Sequence, residues 1–356
     1  MRITSADVPA LERGVALLGS GGGGDTMTAA VLLRRLVTDG PEPEVLPVDA
    51  LDPAAVVLPV GIVGATAAFT EKLPSGAEFA TAVSAIERWT GDRADVLVSI
   101  EIGGLNGLMP LVVAGDLGLP CADADLSGRG LPRLDQLSIA ATGRGLAPAA
   151  IAEPGGQVLV LAAGSDASVE RGARAFLASS GGWAAMAFAP VPAGELPSCA
   201  VIGSVSAALE LGRRVLAAGE SPAADRLAEA SGGRVLARGR VLEVSRHVGP
   251  GSHGSAGFGR GSATLTDHAG GALLRLEMEN EYLLALRDGR PVASTPDVIT
   301  VVDHRTGVPV PCDAIRAGLE VDVLQLAAAP FWTDPRRLPV LRPRAYGIDS
   351  DPVLAP

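Results

Sequence analysis

Lysine is nearly absent from this chain: Lys72 is the only one among 29 basic residues, and the others are all arginine. No G-K-[ST] loop exists to hold a nucleoside triphosphate in the Walker manner, and any lysine chemistry falls to Lys72. Cysteine is scarce too. Cys121, Cys199 and Cys312 stand far apart without a C-x-x-C pair, so neither a zinc knuckle nor a disulfide framework is visible. The histidines His247, His253, His268 and His304 form no H-E-x-x-H, and the first two sit in or beside a Gly/Ser-rich loop that reads as solvent-exposed. Aromatic residues make up 3%, so a core must be built from Ala, Val, Leu and Ile. Net positive charge is missing as well. At -11 the chain lacks the basic patch that phosphate contacts need, and no nucleic-acid partner is expected. The longest uncharged stretch near the N-terminus, residues 53–70, is broken by Pro59, Gly61 and Gly64 and reads as a buried strand and loop rather than a membrane span. Met1 to Ala10 is mostly polar, unlike a signal peptide, and the expectation is a soluble, cytoplasmic protein with no membrane partner.

What is present is apolar and turn-rich. The 356 residues, at about 150 per domain, suggest two domains. With 47% apolar and 19% charged residues, the chain can bury a large core. Residues 1–165 alternate strand and helix patterns. Strands are expected at Val15–Leu18, Val45–Val48, Val56–Val63, Val96–Ile100 and Cys121–Asp125. Helices are expected from Asp25 (with Met27, Val31, Leu32, Leu36 and Val37 on one face), over Glu78–Thr90 and over Leu108–Leu117. Continuous apolar strands predict an α/β fold with a mainly parallel sheet covered by helices on both faces. Residues 166–233 read as a helical segment packing back on that domain. Residues 234–356 alternate apolar and polar with frequent turn signals, Asp288-Gly289 among them, and predict a β-rich, barrel- or sandwich-like domain.

Polar groups in an open parallel sheet collect beyond the carboxyl ends of its strands, and four loops of the first half carry them. Gly19 to Asp25, with Gly21, Gly22, Gly23 and Gly24, fits G-x-G-x-x-G from Gly19 to Gly24, and Asp49 follows 25 residues after Gly24. The loop reads as a cradle for a pyrophosphate or another ligand, or as a tight turn with Asp25 as helix cap. Glu71-Lys72-Leu73-Pro74 places the one ammonium beside carboxylates, either to orient a substrate anion or as a surface lysine. Glu101-Ile102-Gly103-Gly104-Leu105-Asn106 puts an acid at a strand end, where it needs a partner or caps backbone amides. Asp123 and Asp125, two apart in a strand, face the same way. They suit a shared-proton acid/base pair, an oxygen-rich divalent metal site, or a brace with Arg129. Ser20 lies outside G-x-S-x-G, and no His follows within the first domain, so a serine triad is not expected.

Taken in order, these loops resemble the S-methyl thiohydantoin desulfurase family. The likeness rests on Ser20 to Asp25, Glu71-Lys72-Leu73-Pro74, Glu101 to Asn106, and Asp123-Ala124-Asp125 with Gly128-Arg129 and Pro132. It continues at Gly257-Phe258-Gly259-Arg260-Gly261, Glu279-Asn280-Glu281, Pro296-Asp297-Val298-Ile299 and Pro343-Arg344-Ala345-Tyr346-Gly347. The chain departs from the family pattern at Leu126-Ser127, where Gly-Met is expected, and at Glu279, where Gln is common. The resemblance implies an α/β N-terminal and a β-rich C-terminal domain, and hydrolytic removal of sulfur or a thiol from a thiohydantoin-type ring. It also implies association with hydantoinase/oxoprolinase proteins.

On this reading the candidate catalytic residues are Asp123, Asp125, Glu101 and Lys72. The candidate substrate-binding residues are Gly21 to Gly24, Asp25, Asn106, Arg129 and Asp49, and a divalent metal would sit on Asp123 and Asp125. The expected partners are a small-molecule substrate and a hydantoinase/oxoprolinase protein, and a homo-oligomer is left open. A non-catalytic accessory subunit of such an enzyme, or a nicotinamide-dependent oxidoreductase using the glycine loop and Asp49, are the alternatives.

Overall fold

A computed structural model describes residues 1–219, 224–247 and 259–356. His253 and the Gly257-Phe258 pair lie outside the described residues. The chain opens with helix α1 (Val8–Leu18), where a strand was expected over Val15–Leu18. Val8, Leu11, Val15 and Leu18 recur at three and four residues, the helical period, and a four-residue window hides it. The Thr4 amide and hydroxyl both donate to Asp7 Oδ2 just ahead of Pro9, which fixes the helix entry. Helix α2 (Met27–Asp39) follows the glycine run. Ala29, Ala30 and Leu33 form its buried face, while Met27 and Val31, expected inside, point to solvent.

Strand β1 (Val45–Leu46) leads to β2 (Val56–Gly64), short helix α3 (Thr66–Glu71), α4 (Glu78–Thr90), β3 (Val96–Ser99), α5 (Met109–Leu117) and β4 (Cys121–Asp125). The strands lie in the order β1-β4-β3-β2, all parallel. The chain then runs through α6 (Ser138–Ala141), β5 (Ala149–Ala152), β6 (Val158–Leu161), α7 (Asp166–Ser179) and β7 (Trp183–Phe188). Strand β7 slots in antiparallel between β2 and β5, with β6 outside β5. The first sheet is therefore mixed rather than mainly parallel. Strand β7 escaped notice because half of its apolar residues are alanine. Burial on both sides nevertheless alternates strictly: Trp183, Ala185 and Ala187 join one core layer, Ala184, Met186 and Phe188 the other. Then come β8 (Val191–Pro192), α8 (Leu196–Cys199), β9 (Val201–Ile202), α9 (Ser204–Ala217), which lies along α1, and α10 (Ala224–Ser231) against α9.

The second sheet starts at β10 (Arg234–His247), followed by β11 (Arg260–Asp267), β12 (Leu273–Met278), β13 (Tyr282–Arg287), β14 (Arg290–Ser294), β15 (Val298–Asp303) and β16 (Glu320–Leu326). Its order is β14-β13-β12-β11-β10-β16-β15, antiparallel throughout, and β13 and β14 approach β15 so that the sheet curls into half a barrel. The chain finally returns to the first domain through α11 (Pro330–Thr333), α12 (Leu338–Leu341) and a 3-10 turn at Pro343–Tyr346. Trp332 Nε1 donates to Ser127 O at 2.5 Å, and Arg133 Nη2 to Ala345 O at 2.8 Å.

Arg129 joins the two sheets. Its side chain is 2% exposed. Nε donates to Gly130 O (2.9 Å), Nη2 to Ser20 Oγ (2.7 Å), and Nη1 faces Thr295 Oγ1, Pro296 O and Asp297 O at 3.1, 2.9 and 2.6 Å. Arg129→Met fills similar space but strips these acceptors of their donor. We expect it to lower the unfolding free energy by about 3 kcal/mol or more in urea titration, with Arg129→Lys falling between. A variant as stable as the parent would show that the interface is held elsewhere.

Candidate active site

A cleft opens where β2 and β3 end and the β12–β13 hairpin comes down from the half-barrel. It is narrow, with room for about 50 Å³ of water-sized space. Its floor is the loop after β3. Ser99 Oγ lies 2.7 Å from the carbonyls of both Glu101 and Asn106 and folds that loop on itself. Asn106, 6% exposed, then acts as a substitute strand: Oδ1 accepts from Ile62 N (2.6 Å) and Nδ2 donates to Ile62 O (3.1 Å). Its Nδ2 also reaches Glu101 Oε2 at 2.9 Å, while Glu101 Oε1 accepts from Leu131 N at 2.6 Å. Glu101 is thus fixed at two points and keeps one side open to the cleft.

Gly22 and Gly23 line the same cleft, but not as an anion cradle. Their N–H groups donate to Gly19 O at 2.9 and 3.2 Å, which finishes α1. Leu105 N donates to Gly23 O, Asn280 Nδ2 to Gly22 O and Cys312 N to Gly21 O. What the glycines provide is bareness. A Cβ on Gly22 would land on the Glu281 carboxylate, and one on Gly23 would sit 2.6 Å from Gly104 Cα. The run also follows a helix, so the strand–turn–helix setting of a dinucleotide fingerprint is missing. Gly24 and Asp25 line a separate groove beside Pro309 and Pro311, with Gly21 and Gly23 on its wall, and Asp25 Oδ1 caps α2 by accepting from Met27 N at 2.9 Å.

The other expected residues are dispersed. Lys72 does not line the cleft: its ammonium is 2.5 Å from Glu153 Oε2 and donates to Ser180 O at 2.8 Å. That hydrogen bond, foremost, pulls the Glu153 pKa down to about 2. Asp49 is exposed and shares a different groove with Asp123. The Asp123 carboxylate accepts from Ser206 N (3.0 Å) and Ser206 Oγ (2.5 Å) and so caps α9 from outside. Asp125 Oδ2 gathers Ile102 N, Ser127 N, Ser127 Oγ and Gly128 N at 2.8, 3.0, 2.9 and 2.7 Å. Burial outweighs these bonds and raises its pKa. Asp125 Oδ2, facing four donor hydrogens, does not suit a cation. Among the described residues, no group of three or more His, Cys, Asp or Glu side chains is arranged to hold one. Arg129 is committed to the domain interface.

The cleft gains what the sequence reading left without a role. Asn280, Glu281, Arg133 and Arg174 line it. Glu281 is 1% exposed; Oε1 accepts from Asn280 Nδ2 at 3.0 Å, and Oε2 has no hydrogen-bond partner among the described residues. Burial, and then the nearby Glu101 carboxyl, push the Glu281 pKa well above the ordinary range. Burial likewise raises Glu101 to about 7, against the hydrogen bonds from Asn106 and Leu131; Asp125 raises it further and Arg129 opposes. The signal for Glu281 was present in Glu279-Asn280-Glu281, an acidic turn between two apolar strands. Nothing in that turn says which side of the hairpin meets the other domain.

A family model described as S-Me-THD-like, N-terminal domain, matches residues 6–163, and one described as S-Me-THD-like, C-terminal domain, matches residues 164–353. A crystal structure of a protein from Chromobacterium violaceum superposes with a TM-score of 0.77 at 22% identity, covering 100% of this chain and 99% of that one. That likeness shows the fold. No curated protein matches the chain. No helix among the described residues is long and apolar enough to cross a membrane.

The aspartates give the test. Asp123→Ala removes the cap of α9 and should cost about 1 kcal/mol of stability in a thermal melt, with turnover retained. A loss of turnover of about 10²-fold with unchanged melting would return the pair to catalysis.

Proposed function

The chain belongs to the S-Me-THD-like family, and on that premise we propose that it is a hydrolase that removes the sulfur substituent from C2 of a thiohydantoin-type ring. The supporting observation is the pairing of Glu101 and Glu281 across the interdomain cleft. The pKa of one carboxyl lies near 7 and that of the other well above its usual range. Two acids with separated pKa values are what one base and one acid require at neutral pH.

The steps balance. In the resting site Glu101 is ionised and Glu281 is protonated. Glu101 takes a proton from water as the water oxygen bonds to C2. The C2=N electron pair moves onto the ring nitrogen, which takes the proton of Glu281. The tetrahedral adduct then collapses: its hydroxyl proton returns to Glu281, the C2–S bond breaks, and the proton held by Glu101 passes to the departing thiolate. A thiol and a hydantoin-type carbonyl result, and both carboxyls end as they began. Asn106 keeps Glu101 aimed through its bond to Oε2. The apolar walls at Ile62, Leu105, Leu131 and Leu134 limit water around the ring.

The assay is thiol release from an S-alkylated thiohydantoin. Glu101→Gln should lower turnover by about 10²-fold or more. For the parent protein, kcat/KM should rise with pH through about 7 as Glu101 ionises, and fall at a higher pH where Glu281 loses its proton. Glu101→Gln with parental turnover and an unchanged rising limb would refute the assignment.

A further inference from the structure

Tyr346 is a buried hydroxyl without an evident purpose. Its side chain is 1% exposed, and Oη has no hydrogen-bond partner among the described residues. Leaving such a group unsatisfied destabilises the fold, and phenylalanine would avoid that cost. Its placement is nevertheless well fixed. The Arg133 guanidinium carbon stands 5.2 Å from the ring centroid, and Arg133 Nη2 donates to the neighbouring Ala345 O. Gly347, at a φ of 65°, and the Ile348 N–H donating to Pro343 O close the turn that carries the ring.

A second orphan borders the same cleft: Glu281 Oε2, on a carboxyl equally buried, which lines the cleft together with Arg133, the residue that lies over the Tyr346 ring. Burial, foremost, raises the pKa of the Tyr346 phenol; Arg129 and Arg133 oppose that rise, and Glu281 and Glu279 add to it. Glu281 itself is faced by Glu101 from the loop after β3, Arg129 from the loop after β4, Glu279 from its own hairpin, and the Cys312 thiol. Arg129, the cation in that set, spends its N–H groups on Ser20 and the backbone rather than on Glu281. When Glu281 gives up its proton, a carboxylate is left in a buried site with one oxygen unsupported.

We propose that Tyr346 is a positioning residue for Glu281, its hydroxyl donating to Oε2 once that carboxyl has surrendered its proton to the substrate ring. This rests on the acid–base reading above. The bond matters little to the protonated, resting acid and much to the carboxylate formed during the reaction. It therefore favours the transition state over the ground state. The penalty of an unsatisfied hydroxyl falls on the resting protein.

The test is Tyr346→Phe in the full chain, assayed by thiol release beside Glu281→Gln. Removing an unsatisfied hydroxyl should leave the melting temperature equal or higher. KM should stay within about twofold, since Tyr346 does not touch substrate, and kcat should fall about tenfold or more. The falling limb of the pH profile should move to higher pH, because a carboxylate that loses a donor holds its proton more tightly. If Tyr346→Phe melts markedly lower, Tyr346→3-fluorotyrosine keeps the shape and strengthens the donor, so the limb should move down instead. An unmoved limb in either variant overturns the inference. Parental turnover in Glu281→Gln overturns the acid assignment and this inference with it. A loss in Glu281→Gln, with kcat and limb of Tyr346→Phe unchanged, overturns only the role of Tyr346.

Discussion

A guanidinium shut away from water must find acceptors for its N–H groups, and Arg129 finds them on both sheets. Satisfying it requires Ser20 at the end of α1, Gly130 in its own loop, and Thr295, Pro296 and Asp297 on the approach to β15 to meet at one place. Asp297 extends the constraint, because its carboxylate accepts from Gln325 Nε2 and from the amides of Ala328 and Ala355. One buried cation thus sets the relative placement of the α/β sheet, the half-barrel and the C-terminal tail. Its attraction to the nearby acids is a field effect, since its hydrogen bonds go elsewhere.

The cleft follows from that docking. Its floor belongs to the first domain and its roof, Asn280 and Glu281, to the second. Glu101 becomes a weak acid because burial, with Asp125 adding to it, outweighs two hydrogen bonds and the pull of Arg129, and Glu281 because burial and Glu101 act together. The glycine run is what lets the hairpin come so near, as Gly22 has no Cβ to strike the Glu281 carboxylate.

Several charged residues that looked functional are engaged by the fold itself, and for a common reason. Asp25, Asp123 and Asp125 each gather backbone N–H groups at helix starts or tight turns, and Lys72 answers the buried acid Glu153. A carboxylate at a strand end has the same appearance in sequence whether it meets a substrate or an amide. What distinguishes them is the count of donors already facing it, a tertiary quantity. Glu101 sits between these cases, since each oxygen accepts one bond and it still reaches the cleft.

The sequence by itself determined the elements whose periodicity is long or strict: helix α4 over Glu78–Thr90, strand β4 over Cys121–Asp125, strand β16 over Glu320–Leu326, and the two-domain α/β-then-β order. Those follow from local burial patterns that need no partner to be read. It also determined the family, through motifs scattered over the whole length, and it named Glu101 and Asn106, which the fold brings to the cleft. It missed helix α1, whose period shows only over eleven residues, and strand β7, whose alanines carry little hydrophobic contrast. Tertiary structure alone decided that β7 divides the sheet into parallel and antiparallel halves, that Arg129 looks outward to a second domain, and that Glu281 rather than Asp123 faces Glu101. Each of these depends on contacts between residues more than fifty positions apart, and such contacts leave no period in the chain.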